Sequence, residues 1–233
     1  MEVSVLIPVR NEEANLDELI RRLRSLPDLL PSPFEVIAVD DASTDRSPEI
    51  LAGAALETPF LRVLRQTSRR GMGGALMAGA REARGRFVFW TMADYSDDFS
   101  DLPAMLDRLR GGADLVVASR AVPGGGYGDL GRFKSFLSHL FSRAARALFR
   151  LPIHDVTNAF RGMRREVLDG VRLRRTDFSI SPEQIIEAHR AGARIEEVPT
   201  TYSFRRGGAS HFRVVRMGWS YGLLLFRRLG NGR

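Results

Sequence analysis

Two apolar rhythms alternate along the first 120 residues of the chain. Short unbroken runs recur: "VSVLIPV" from Val3 to Val9, "FEVIAVD" ending at Asp40, "FLRVL", "RFVFWTM" ending at Met92, and "ADLVVAS" ending at Ser119. Between them, apolar residues fall three and four apart, as in Leu16, Leu19, Ile20, Leu23 and Leu26, then again in "SPEILAGAAL", "GGALMAGAREAR" and "LPAMLDRLR". The first rhythm belongs to strands buried on both faces, the second to amphipathic helices. Strands separated by helices of this length predict right-handed crossovers and an α/β fold, a mostly parallel central sheet with helices on both faces. Ligands of such sheets bind at the carboxyl ends of the strands. The loops to inspect are therefore "PVRNEE", "DDASTD", "ADYSDD" and "SRAVPGGG".

Beyond residue 120 the alternation stops. "AVPGGGYGDLG" supplies glycine for a mobile lid over the site, at about 121–131. An amphipathic helix is expected at about 132–149, where Phe133, Phe136, Leu137, Leu140, Phe141 and Leu148 interleave with Lys134, Arg143, Arg146 and Arg150. Two readings stay open for it: an apolar face packed on the domain, or an interfacial helix held by apolar burial and anionic lipid. Residues 213–233 repeat the mixture, with Trp219 and Tyr221 suited to the headgroup level. The expected organisation is one domain over 1–212 with 213–233 as an amphipathic appendage. No apolar run is long enough to span a bilayer.

Composition narrows the function. A chain of 233 residues with 44% apolar residues can fill one core. Its net charge of +7 favours polyanionic partners. The basic residues are dispersed, with no nucleic-acid motif, so nucleic acid is not expected among them. The absence of cysteine excludes disulfides and thiolate metal ligands. "MEVSVLIPVRNEE" lacks the basic start and cleavage site of a signal peptide, so a cytoplasmic chain is expected.

Several short motifs carry chemistry. "DDASTD" offers a carboxylate for base or ribose donors and Ser43 to cap the next helix, although a plain capped turn would use the same residues. "GMGG", Gly71 to Gly74, departs from G-x-G-x-x-G and follows the third strand, which sets aside a Rossmann dehydrogenase; its glycines are read as allowing close backbone approach at a helix start. "TMADYSDDF" is either a metal site or a polar loop whose Asp98 and Asp101 open the following helix.

Taken in order, "VSVLIPVRNEEANL", "VIAVDDASTD", the acidic motif, "VVASR", "DVTNAFRGMRREVL" and "RRGGASHF" resemble the inverting family 2 glycosyltransferases of the GT-A fold. The resemblance is to the branch of dolichyl-phosphate mannosyltransferases and bacterial polyprenyl-phosphate sugar transferases. It implies nucleotide binding by Pro8, Arg10, Glu12, Asp41, Gly71, Ala93 and Asp94, with Asp40 structural. The family's Asp-Ala-Asp falls on Met92, Ala93 and Asp94, so its first aspartate is replaced. Asp94, with Ser96 and Asp97, is then implied to hold Mg²⁺ or Mn²⁺. The resemblance puts Ser119, Arg120, Arg161, Arg205, Ser210 and His211 at the acceptor phosphate. In "D-x-T-S-G-F-R", matched by Asp155, Thr157, Asn158, Phe160 and Arg161, Asn158 and Ala159 replace Ser-Gly; in "R-x-x-G-x-S-K", matched by Arg205, Gly208 and Ser210, His211 replaces lysine. As a phosphate grip, His211 works only when protonated.

Asp94, Arg120 and Arg205 would stabilise the departing nucleoside diphosphate. A lipid phosphate is already an anion and needs no base, whereas a hydroxyl acceptor would need one, with Asp155 the leading candidate. The function implied is sugar transfer from a GDP- or UDP-linked donor to a polyprenyl phosphate on the cytoplasmic face of a membrane. Lipid would be reached through the amphipathic segments, a membrane-protein partner or a homo-oligomer. A soluble hydroxyl or phosphorylated acceptor is the alternative, and a catalytically impaired nucleotide-sugar binder is the third reading.

Overall fold

In the computed structural model, which describes residues 1–202, 220–222 and 224–225, the apolar run Val3–Val9 forms β1 and is buried along its whole length. There follow α1 (Glu13–Leu23), α2 (Leu26–Leu29), β2 (Phe34–Asp40), α3 (Ser47–Glu57), β3 (Leu61–Arg65), α4 (Gly71–Glu82), β4 (Phe87–Trp90), α5 (Leu102–Arg110) and β5 (Leu115–Ser119). Prolines stand in the first turns of α2, α3 and α5, where a missing N–H costs no helix bond. The two-residue pleat divides each strand between two cores. Val3, Val5, Ile7 and Val9 pack with Leu16, Leu19 and Leu23 of α1 and Met105 of α5. Leu6 faces the other side, with Ala75 and Leu76 of α4. This is why the strands read as unbroken apolar runs.

After β5 the expected helix forms as α6 (Arg132–Phe149), and the alternation continues where it was expected to stop: β6 (Arg161–Arg164), α7 (Arg165–Gly170), α8 (Ile180–Arg190) and β7 (Ile195–Pro199). The sheet order is β3-β2-β1-β4-β6-β5-β7. β6 runs antiparallel between β4 and β5, and the other pairings are parallel. Its sequence, "RGMR", carries no apolar run, because its arginines find backbone acceptors inside the fold. Arg161 donates to the carbonyls of Ser181 and Asn158, and Arg164 to those of Ala113 and Leu109. Buried charge with its own acceptors reads as surface in a sequence.

The two halves of α6 differ, and the packed reading holds for the second. Ser142, Ala145 and Phe149 are buried. Phe133, Phe136 and Leu140 stand outside, 65%, 61% and 55% exposed. Tyr221, expected at a headgroup surface, is instead buried, its ring 4.5 Å from that of Phe141. Trp219 lies outside the described residues. Among the described residues no helix is long and apolar enough to cross a membrane.

Candidate active site

Three loops at the carboxyl edge of the sheet each hold a non-glycine residue in the left-handed region: Asn11 (φ 52°) after β1, Ala42 (φ 56°) after β2 and Tyr95 (φ 46°) after β4. Such backbone costs of order 1 kcal/mol or more and persists only where its surroundings enforce it. The first two loops enforce each other. The Asn11 and Glu12 amides donate to Ser43 Oγ (3.0 Å) and Ser47 Oγ (2.9 Å), and the Thr44 amide donates to Asn11 Oδ1 (2.8 Å). Arg10 donates to the carbonyls of Asp41 (2.5 Å) and Ala42. Ser43 is thus a loop clamp rather than the cap of α3, which has no side-chain cap. Asp40 is structural, as expected, and accepts the Ser43 amide at 3.0 Å.

A cleft of about 500 Å³ opens against these loops, a size suited to a small organic ligand. Pro8, Arg10, Glu12, Asp41 and Gly71 line it, joined by Met92, Arg69, Arg70 and a wall of Thr176, Asp177 and Phe178. Asp41 is committed in part: its Oδ1 accepts the Arg70 amide (2.6 Å) and its Oδ2 the Gly71 amide (2.8 Å), closing the start of α4. The glycines of "GMGG" have the role read for them. A Cβ on Gly71, whose φ is +79°, would strike the Thr176 carbonyl, and one on Gly73 would lie 2.5 Å from the Arg175 carbonyl. The Gly73 amide donates to Thr176 O at 2.8 Å, so the far wall is seated backbone to backbone on α4. Sequence reasoning missed Thr176, Asp177 and Phe178; the paired glycines signalled a close neighbour without naming it.

The acidic loop follows β4. Ser96 Oγ donates to Asp94 Oδ1 at 2.7 Å, so these two expected ligands stand together. Ala93, expected to face the nucleotide, is buried. Asp97 is not arranged as a ligand. Its Oδ2 accepts Thr91 Oγ1 and the Met92 amide, both at 2.9 Å, and it is only 5% exposed. Burial, with Asp94 nearby, pushes its carboxyl up to about 7 against the Met92 and Thr91 donors. Among the described residues no group of three His, Cys, Asp or Glu forms a metal cage. One carboxylate with a hydroxyl beside it still suits a hard cation that takes its remaining oxygens from a bound diphosphate and water.

The third cluster forms at the end of β5. Arg120 Nε and Nη2 donate to Asp155 Oδ2 (2.7 Å) and Oδ1 (2.9 Å), and Nη2 also reaches Thr157 Oγ1 (2.9 Å). Among the described residues, Nη1 has no hydrogen-bond partner. The guanidinium lies 5.0 Å from the ring centroid of Tyr127, which packs on His139 of α6. Asp155 is fully buried; burial would raise its pKa, but Arg120 holds it below the usual carboxylate range. Its oxygens also accept the amides of Arg120, Thr157 and Asn158. A base needs an open lone pair near substrate, so Asp155 is placed as a positioning group and not as the base that a hydroxyl acceptor would need. Ser119 and Arg161 are fully buried and out of reach of an acceptor phosphate. Arg161 is pushed down to about 9 by burial. Of the described members of the acceptor set, only Arg120 touches the surface, at 8% exposed. Arg205, Gly208, Ser210 and His211 lie outside the described residues.

An α/β sheet covered on both faces, with a polar cleft and an acidic loop at the carboxyl edge, is the architecture of GT-A glycosyltransferases. The family description "Glycosyl transferase family 2" matches residues 4–172, and the chain belongs to that family. It is 31% identical over 216 residues to a dolichol-phosphate mannosyltransferase of Pyrococcus furiosus, covering 91% of this chain and 60% of that protein. It thus spans about 60% of that relative's length. With an undecaprenyl-phosphate mannosyltransferase of Micrococcus luteus it shares 34% identity, over 90% of this chain and 87% of the relative. The fold is that of glucosyl-3-phosphoglycerate synthase from Mycobacterium tuberculosis, solved with Mn²⁺, UDP and glucosyl-3-phosphoglycerate. Their TM-score is 0.69 at 20% identity, over 100% of this chain and 81% of that one.

Proposed function

We propose that this chain transfers a sugar, with inversion at the anomeric carbon, from a nucleoside diphosphate sugar to a polyprenyl phosphate at a membrane surface. Arg120 carries the reading. Its guanidinium is locked by Asp155, with Nη1 left over among the described residues, a fixed cation for a phosphate, and Nη2 lies 3.5 Å from Ser138 of α6. That helix has an apolar ridge of Phe133, Phe136 and Leu140. Between Leu130 and His154 the chain has Arg132, Lys134, Arg143, Arg146 and Arg150 and no acid. An apolar ridge among cations suits an anionic lipid surface, and each buried phenylalanine adds about 1.5–3 kcal/mol. The mannosyltransferase relatives, named for lipid-phosphate acceptors, support the same acceptor class.

In this reading Pro8, Arg10, Glu12 and Asp41 receive the nucleoside. Asp94 and Ser96 would hold Mg²⁺ or Mn²⁺, which draws charge from the departing diphosphate. Arg120 orients the acceptor phosphate, whose anionic oxygen attacks without a base, in keeping with the saturated Asp155. Arg205, Ser210 and His211 join it by resemblance. The loop at 121–131 covers the acceptor; Gly126 is tied to Thr200 and Tyr202 by backbone bonds of 2.9 and 3.0 Å. The protein works peripherally on the cytoplasmic face of the membrane.

The test is transfer from labelled UDP- and GDP-sugars to polyprenyl phosphate in liposomes, with Mn²⁺ or chelator, beside a soluble phosphorylated acceptor. Metal-dependent transfer to lipid is expected, and Asp94→Ala should lower it about a hundredfold, some 3 kcal/mol of barrier. Transfer confined to the soluble acceptor moves the acceptor assignment. Tight nucleotide binding with no transfer to either acceptor sinks the enzyme reading.

A further inference from the structure

Asp177 reaches the donor cleft from the last third of the chain, and the motifs of the sequence passed it over. Its backbone neighbour Thr176 is seated on α4 through Gly73. Its carboxylate is held at both oxygens. Oδ1 accepts the Ser179 amide (2.9 Å) and Ser179 Oγ, while Oδ2 accepts Ser220 Oγ (2.9 Å). Burial would raise the Asp177 pKa, but Ser179 and Ser220, with Arg175 nearby, lower it, so the group is an anion. A carboxylate has about four acceptor positions, and fixed donors fill three of these. Among the described residues one position on Oδ2 remains, on a residue that lines the cleft.

The chemistry of that position selects its ligand. A phosphate would meet like charge there, whereas a hydroxyl would give a charge-assisted hydrogen bond. We propose that Asp177 accepts a hydrogen bond from a hydroxyl of the donor's sugar part, ribose or transferred sugar, and that Ser220 is its positioning residue. The inference rests on the reading of the cleft as a nucleotide-sugar site. It makes the C-terminal turn part of that site: Ser220 holds Asp177, and the next residue, Tyr221, packs on Phe141 of α6.

The experiment is calorimetric titration of the full chain, with Mn²⁺, against UDP, GDP, UDP-glucose, GDP-mannose and the 2′,3′-dideoxy nucleoside diphosphates. Asp177→Asn should weaken binding roughly tenfold, the worth of one hydrogen bond to a charged group. A loss seen only with the nucleotide-sugar assigns the transferred sugar. A loss shared by the nucleoside diphosphate but absent with its dideoxy analogue assigns ribose. Ser220→Ala should lose about threefold by the same logic, and Ser220→Thr should restore it. Unchanged binding in Asp177→Asn, or a loss that persists with the dideoxy analogue, overturns the role of Asp177 while the donor site stands. Unchanged binding in Ser220→Ala removes Ser220 from the proposal. Failure of the wild-type chain to bind any of these ligands overturns the donor site and Asp177 together.

Discussion

Asp155 and Asp97 are both buried carboxylates at the carboxyl edge of the sheet, and they shift in opposite directions. Burial pushes each upward; Asp97 goes to about 7, while Asp155 ends below the usual range. The difference is the partner. Asp155 is clamped by the Arg120 guanidinium, whereas Asp97 leans on the Thr91 hydroxyl and the Met92 amide beside another acid, Asp94. Neutral donors offset part of the cost of burying an anion, and a fixed cation offsets more. The arginine corner is thus built on a permanent ion pair, and the acidic loop on a carboxyl able to change its charge near neutrality.

The sharpest way to break this contrast is Asp155→Ala. It leaves Arg120 buried and unpaired, which should cost about 3–5 kcal/mol in chemical denaturation. With its pKa depressed, Asp155 contributes stability that is present above an unfolded value of about 3.9 and lost as pH falls below it. Asp155→Asn should therefore flatten the acid limb of the stability profile; an unaltered limb would show that the ion pair does not set the corner.

Gly73→Ala probes the wall of the cleft that lies outside both regions. Its Cβ would meet the Arg175 carbonyl at 2.5 Å, so a loss of about 1–3 kcal/mol is expected in thermal melts, with nucleotide affinity falling as the wall shifts. A variant with native affinity would mean that the 175–178 wall does not shape the cleft.

Asp97→Asn is expected to act in the opposite sense to the Asp155 variants. A raised carboxyl favours the folded state while protonated, so its contribution is full below pH of about 3.9 and is lost as pH rises toward 7. The asparagine variant should lack that decline, and a profile parallel to the wild type would remove Asp97 as its source. The smallest effect on stability is expected at Phe136→Ser, within about 0.5 kcal/mol for an exposed position. Sedimentation with anionic liposomes should fall clearly; unchanged lipid binding would take α6 off the membrane.

The half around the cleft and the acidic loop was largely legible because its loops end parallel strands, and each strand announces itself by an apolar run. The ends of those runs marked the loops, and the family resemblance then singled out Pro8, Arg10, Glu12, Asp41 and Gly71 within and beside them. Ser43 was misread because a serine three residues into a turn can cap either its own helix or a neighbouring loop, and spacing does not say which. The arginine corner was less legible. Asp155, Arg161 and Ser119 were recognised as a group, but Arg161 and Ser119 were placed at a surface they do not reach. A sequence shows that a residue is charged and leaves open whether a carbonyl or a carboxylate waits for it inside.

What the sequence determined by itself is the order of strands and helices through residue 119, the span of α6 and the loops that carry the chemistry. These follow from local periodicity, which needs no partner to be read. Only the tertiary structure decided that β6 enters the sheet antiparallel between β4 and β5, that Thr176 and Asp177 close the cleft, and that Tyr221 faces inward. Each of these depends on contacts between residues far apart in the chain, and such contacts leave no period in the sequence.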